Sequence, residues 1–350
     1  MSESSTKREF PLAEARALVK DLAEPKLWIY WTDFLASVTL GWVAFVLTIS
    51  LSVTPLVRIA IGIVSALALY RSTIFIHELA HVRRGGLKAF RIAWNLLIGF
   101  PLMLPSFVYA GVHNEHHVRT IYGTSADGEY WPFIWDRPYK IAGFPVLSFV
   151  LPFYFAVRFI VLTPLLPFSR RLRTYVWEWL SSLAIIMKYK RPLPESKKEA
   201  RGWLVQEWMA CLYGVTVIVL VAVGALPYTV FIMWYAVAAF SFLLNSFRTL
   251  AAHAYRNPGD RVMTQAEQLQ DSINVPGFLF LPSLWAPVGL RYHGTHHLYP
   301  IMPYHSLGKA HRRLVKELSD NSAYLETVRT SLWDALRRLW RETAANRAGG

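Results

Sequence analysis

Nine of the eleven histidines fall into three short clusters and one isolated position: His77-Glu-Leu-Ala-His81, His113-Asn-Glu-His116-His117, His293-Gly-Thr-His296-His297, and His253. Residues three and four apart share one face of a helix, so each cluster aims two or three imidazoles at one point. Neutral imidazole is a metal ligand, and chance seldom places two H-x-x-H-H patterns and a further pair in one chain. His305 and His311 lack this spacing and read as structural histidines. The first cluster also fits H-E-x-x-H, the helical zinc motif in which the glutamate, here Glu78, is the general base of a metalloprotease. A zinc site takes three protein ligands and keeps one position open, which would leave six clustered histidines without a task. Two metals with four or five nitrogens each account for all nine. Imidazole suits iron as well as zinc, and with no thiolate or dense carboxylate set beside the histidines the pattern favours a non-haem di-iron centre.

The elements that position these clusters are apolar. With 54% hydrophobic and only 17% charged residues, the chain is too apolar for a soluble domain and reads as an all-α integral membrane protein. A single cysteine, Cys211, excludes internal disulfides, Cys-ligated zinc, iron–sulfur clusters and a C-x-x-C redox pair. The first 27 residues are polar and lack the short apolar core of a signal peptide, so they are expected to form an N-terminal segment ahead of a membrane domain at 28–315. Residues 28–53, 55–76, 203–223 and 228–250 are each long enough to cross about 30 Å of hydrocarbon. They pair into two hairpins, and the second member of each delivers a histidine, His77 or His253, to a membrane surface.

Two further apolar stretches, 92–112 and 141–168, carry Asn95, Pro101 and Pro105, and Pro145, Pro152, Arg158, Pro164 and Pro167. If all the histidines meet at one site, the chain crosses an even number of times between clusters. Both stretches are therefore expected to be re-entrant or interfacial, which gives four spans. The turns at 51–57 and 224–229 lack Lys and Arg, whereas Arg83, Arg84, Lys88, Arg91, the 170–173 group and the basic residues of 188–201 lie on the histidine side. The positive-inside rule then puts the histidines and both termini in the cytoplasm. The net charge of +14 is explained by anionic lipid head groups and an acidic protein partner beside the membrane segments, not by nucleic acid. Residues 306–350 read as an amphipathic helical cap with Arg312, Arg313, Arg337 and Arg338 outward and a disordered end. A receptor or carrier that merely holds iron is disfavoured, because a transporter would need polar groups through the bilayer, yet the spans hold few and the histidines gather at one surface.

The order H-x-x-x-H, H-x-x-H-H, H-x-x-H-H around membrane hairpins resembles the membrane fatty acid desaturase and hydroxylase superfamily. The third cluster in context, Leu290-Arg-Tyr-His-Gly-Thr-His-His-Leu-Tyr-Pro-Ile-Met-Pro-Tyr304, is similar to the bacterial acyl-lipid type. His253 occupies the place of the ligand that the family adds after its last span. Acyl-CoA desaturases have H-x-x-x-x-H first and asparagine in that added place, a departure that argues against an acyl-CoA substrate. The resemblance implies a protein of the bacterial inner membrane with two iron ions that use dioxygen to remove hydrogen from an unactivated methylene of a fatty acyl chain, in an acyl-lipid or a free fatty acid. Desaturation is the first expectation, with hydroxylation or decarboxylation to a terminal alkene as alternatives. Glu78, Glu115 and Asp271 are expected to hold ligand imidazoles in their tautomers. No G-x-G-x-x-G fingerprint, haem segment or cysteine set is present, so a separate ferredoxin- or cytochrome-type electron carrier is implied.

Overall fold

The computed structural model describes residues 10–81, 87–278 and 280–348, so Arg83 and Arg84 lie outside the described residues. A short α1, Leu12–Val19, precedes the hairpin of α2, Leu27–Ser50, and α3, Pro55–His81. The two long helices approach closely at Gly41, where an added Cβ would lie 2.7 Å from the Leu69 side chain and where Ser65 donates to the Gly41 carbonyl. The chain then doubles back. Helix α4, Leu87–Trp94, runs into a π turn at Asn95–Gly99, and after an irregular loop α5 spans Phe107–His116. Asn95 ties the two limbs together by bonding both the backbone N–H and the hydroxyl of Ser106. This is the physical role of the polar residue that interrupts the apolar 92–112 stretch.

Helix α6, Pro138–Gly143, leads through a 3-10 turn into α7, Leu151–Ala156, and on through π and 3-10 turns to Phe168. Pro145, Pro152 and Pro164 each stand at the first or second position of a segment, where a helix needs no N–H, so the prolines change the pitch without ending the rod. Among the described residues Leu151–Phe168 is therefore one of five helices long and apolar enough to cross a membrane by length and composition, where the sequence suggested four. Within it Arg158 is fully buried and paired with Glu207 at 2.7 Å, and it also donates to Ser181 and Thr163.

Helix α8, Arg170–Trp179, precedes the second hairpin of α9, Lys197–Ala222, and α10, Thr229–Leu250. Helix α9 starts six residues before the apolar run because Ser196 caps it by accepting from the Glu199 N–H. The cap follows as α11, Gln265–Asp271; α12, Pro282–Trp285; α13, His293–Leu298; α14, Tyr304–Glu317; α15, Ser322–Leu325; and α16, Leu332–Ala348. The described residues contain only isolated β-bridges and no strand. The expected single amphipathic tail is thus three helices. Arg312, Arg337 and Arg338 are exposed, whereas Arg313 turns inward to Asp21 and the Leu18 carbonyl. Of the end expected to be disordered, 345–350, the chain is helical through Ala348, held where Asn346 donates to the Ile134 carbonyl, and Gly349 and Gly350 lie outside the described residues.

Candidate metal centre

Each histidine cluster sits at the end of a helix. His77 and His81 occupy the last turn of α3, His113 and His116 end α5 with His117 as its C-cap, and α13 carries His293, His296 and His297. His253 lies just past α10 and pairs across an isolated bridge with Ser272. These ends converge into two groups. His77, His81, His113, His117 and His296 form one, and His116, His253, His293 and His297 the other; in each, one nitrogen per ring lies within 4.8 Å of all the rest. The second and third clusters are each divided between the groups, because alternate members of an i, i+3, i+4 set lean to opposite sides of a helix face. The rings of His117 and His297, one from each group, stack at 4.4 Å. His305 and His311 stand outside both groups; His311 meets the Tyr324 hydroxyl at 2.8 Å.

The arrangement fits metal ions. His113 turns Nδ1 to Glu129 at 2.9 Å and to the Tyr109 hydroxyl at 3.0 Å, while His116 turns Nδ1 to Asp127 at 2.8 Å. A carboxylate on Nδ1 fixes the proton there, so Nε2 carries a lone pair. Yet His113 Nε2 lies 2.8 Å from His81 Nε2 and 3.2 Å from His117 Nε2, and His253 Nε2 lies 3.0 Å from His293 Nε2. Nitrogens this close can share one proton as a hydrogen bond or one metal cation as ligands. Ligands at right angles and about 2.1 Å from a metal are separated by about 3 Å. Both ring nitrogens of His77, and Nδ1 of His293 and of His296, are buried without a hydrogen-bond partner, at least one of them left for a bond of another kind. Burial also pushes His113, His117, His253, His293, His296 and His297 well below the usual imidazole range, into the neutral form that ligates. At His116 burial is again the largest influence and acts in the same direction, but the carboxylates of Asp127, Glu129 and Asp271 together outweigh it and hold the ring above its ordinary value.

Among the three carboxylates expected to orient imidazoles, Asp271 does so through an intermediary. Tyr122 donates to Asp271 at 3.0 Å, and its hydroxyl lies 2.9 Å from His253 Nδ1, so the ring is held by a tyrosine backed by a buried carboxylate. Glu115 is corrected: it projects off the histidine face of α5 and accepts from the Tyr189 hydroxyl instead. Glu78, one residue from His77 and so about 100° around the helix, accepts from the Tyr30 hydroxyl and the Tyr304 N–H and stays 3.7 Å from the ring. Both hydrogen bonds tie α3 to its neighbours, Tyr30 of α2 and Tyr304 of α14.

The residues that sequence reasoning missed lie in the turn after the second cluster. Asp127, with no exposure, accepts from the Gly123 and Glu129 N–H groups besides holding His116. The turn packs tightly behind α5 at Gly128, where a Cβ would come within 2.6 Å of Val112. Asn274, also fully buried, accepts from the Thr295 N–H and hydroxyl and so anchors the helix of the third cluster. The acidic pair flanking Gly128 is a visible signal, but a turn has no periodicity to mark where it points.

A multi-pass helical membrane protein that brings nine imidazoles into two adjacent groups has the build of a metal-dependent oxidoreductase. The family model described as fatty acid desaturase matches residues 50–328. A ceramide hydroxylase of Caulobacter vibrioides (strain NA1000 / CB15N) is 38% identical over 335 residues, which cover 96% of this chain and 94% of that protein. The chain belongs to the fatty acid desaturase family and is an oxidoreductase. That family uses non-haem iron, in agreement with the all-imidazole donor set.

Proposed function

We propose that this chain is an iron- and dioxygen-dependent hydroxylase of the acyl chain of a ceramide-type membrane lipid. The observation that carries the reading is the near full-length likeness to a ceramide hydroxylase, which leaves no large insertion or missing element to separate the two chains. His77, His81, His113, His117 and His296 would hold one iron, and His116, His253, His293 and His297 a second. When bound, iron supplies with dioxygen the oxidising power that no side chain has toward an unactivated methylene. The chain's own part is to fix the ligands. Glu129 and Asp127 keep the Nδ1 protons of His113 and His116, and Tyr122 with Asp271 holds His253, so that the nitrogens facing the metals stay unprotonated and oriented.

Hydroxylation consumes one dioxygen, two electrons and two protons, and yields one alcohol and one water; the electrons come from a separate ferredoxin- or cytochrome-type carrier. Desaturation, supported by the family match, uses the same inputs and yields two waters. Formation of a terminal alkene has support from neither comparison. The test is lipid mass analysis of a ceramide-containing host with and without the gene, grown under isotopically labelled dioxygen. The expected product is a ceramide that has gained one labelled oxygen. A product lacking two hydrogens and carrying no label makes the enzyme a desaturase, and no change in any ceramide overturns the substrate assignment.

A further inference from the structure

A basic cleft of about 270 Å³ lies where the start of α14 meets α3 and the loop before the third histidine cluster, and Arg71, Arg291, His305, Lys309 and Arg312 stand in its wall. A second hollow of about 350 Å³ shares Arg291, Tyr292 and Arg312 with it, so the two form one trough. Asp33 answers the charge of Arg71 through two hydrogen bonds. Among the described residues, Lys309 and Arg312 form no ion pair, although Arg313 beside them takes Asp21. The excess positive potential is felt by buried His311 in the second hollow, which burial and then Arg312 and Arg291 push down to about 4.

Next to this trough the chain turns apolar side chains outward. Phe278 is 73% and Phe280 65% exposed, with Leu281 and Leu284 exposed beside them, and Ser283 of the same segment lines the cleft. The lip is tied to α3, since Tyr70 donates to the Trp285 carbonyl at 2.8 Å. Tyr70 lies fifteen residues from Pro55, a rise of about 22 Å along α3. Against about 30 Å of hydrocarbon, a crossing α3 puts the lip among acyl chains just below the head groups. Exposed aromatic residues beside a cluster of cations in which positive charge outnumbers negative are the signature of a surface that meets anionic lipid.

We propose that the trough binds the phosphate of a membrane phospholipid, whose acyl chains lie against Phe278, Phe280, Leu281 and Leu284. Ceramide carries no phosphate, so this lipid is not the proposed substrate, and the site stands or falls independently of the reaction. Native mass spectrometry of the purified full-length protein in neutral detergent tests it, with three probes: dioctanoyl phosphatidylglycerol, dioctanoylglycerol and inorganic phosphate. The phosphatidylglycerol is expected to bind at least about ten-fold more tightly than either other probe, and Lys309→Gln/Arg312→Gln to weaken it at least about ten-fold. Arg170→Gln/Arg171→Gln, which removes two exposed cations at the start of α8, is expected to leave it unchanged. Equal binding of dioctanoylglycerol overturns the role of the phosphate, and equal binding of inorganic phosphate makes the trough a plain anion site. Equal weakening by the α8 variant reduces it to diffuse surface charge. If the double variant does not fold, Lys309→Gln alone gives the same comparison at smaller amplitude.

Discussion

Asp127 and Glu129 decide which nitrogen His116 and His113 present to the centre, one carboxylate to each ring. Replacing Asp127 with Asn substitutes a neutral amide for the anion that holds the Nδ1 proton. Metal affinity is then expected to fall about 10- to 100-fold, measured as metal retained against a competing chelator. Glu115→Gln is the paired control, because its carboxylate meets Tyr189 and not an imidazole; retention within about two-fold of the parent is expected. A loss as large as that of Asp127→Asn would mean that bulk negative charge, not hydrogen-bond direction, governs the site. The imidazoles were legible in the sequence because three- and four-residue spacing has one geometric meaning on a helix. Asp127 and Glu129 were not, because they reach the rings only through a turn closed by the Gly123 and Glu129 N–H groups.

At the scale of elements, the four apolar runs near α2, α3, α9 and α10 were legible from length alone, while the 151–168 rod was not. Its prolines and Arg158 hid a continuous helix, since the guanidinium is satisfied by Glu207 of α9, a partner almost fifty residues away that no local pattern reveals. Removing one member leaves a buried charge unpaired. Arg158→Met is expected to cost about 3–5 kcal/mol, and Arg158→Met/Glu207→Leu clearly less, because the double change leaves no lone ion. Thermal unfolding in detergent reads both; a double variant less stable than the single would show that the pair stabilises the rod beyond mutual neutralisation.

The cap has its own pH response. His311 on α14 is pushed from 6.5 to about 4, first by burial. Between those values the unfolded chain binds a proton that the folded chain refuses, so stability is intact above about pH 6.5 and falls as pH drops toward 4. The loss is at most about 3 kcal/mol. The melting temperature of the parent should therefore fall over this window more steeply than that of His311→Gln, and parallel curves would remove His311 as the cause.

For the whole molecule, the question is how many times the chain changes sides between the second histidine cluster and His253. Helices α9 and α10 account for two crossings, which leaves the rod ending at Phe168. The backbone after that rod returns to where it started: the Leu183 N–H donates to the Val108 carbonyl of α5, the Ile185 N–H to the Gly128 carbonyl, and Arg191 to the Phe107 carbonyl. Helix α8, ten residues or about 15 Å long, covers only about half of a bilayer's hydrocarbon. A single crossing by the rod would strand 180–191 on the far side from the turn at Gly128, and the hydrogen bond from the Ile185 N–H to the Gly128 carbonyl argues against that. The whole segment from α6 through the rod and α8 to Arg191 is therefore expected to enter and leave by the face that carries the histidines, with the rod's exposed apolar side chains in lipid and Arg158 turned to Glu207. Single cysteines at Arg137, Lys188 and Arg256, each introduced after replacing Cys211 with Ala, should all react with an impermeant thiol reagent from the same side of a sealed vesicle. A cysteine at Leu226, in the turn between α9 and α10, should react from the opposite side. Labelling of the Lys188 position together with Leu226 would give a fifth crossing and break the parity argument, while leaving the grouping of the nine imidazoles as it stands.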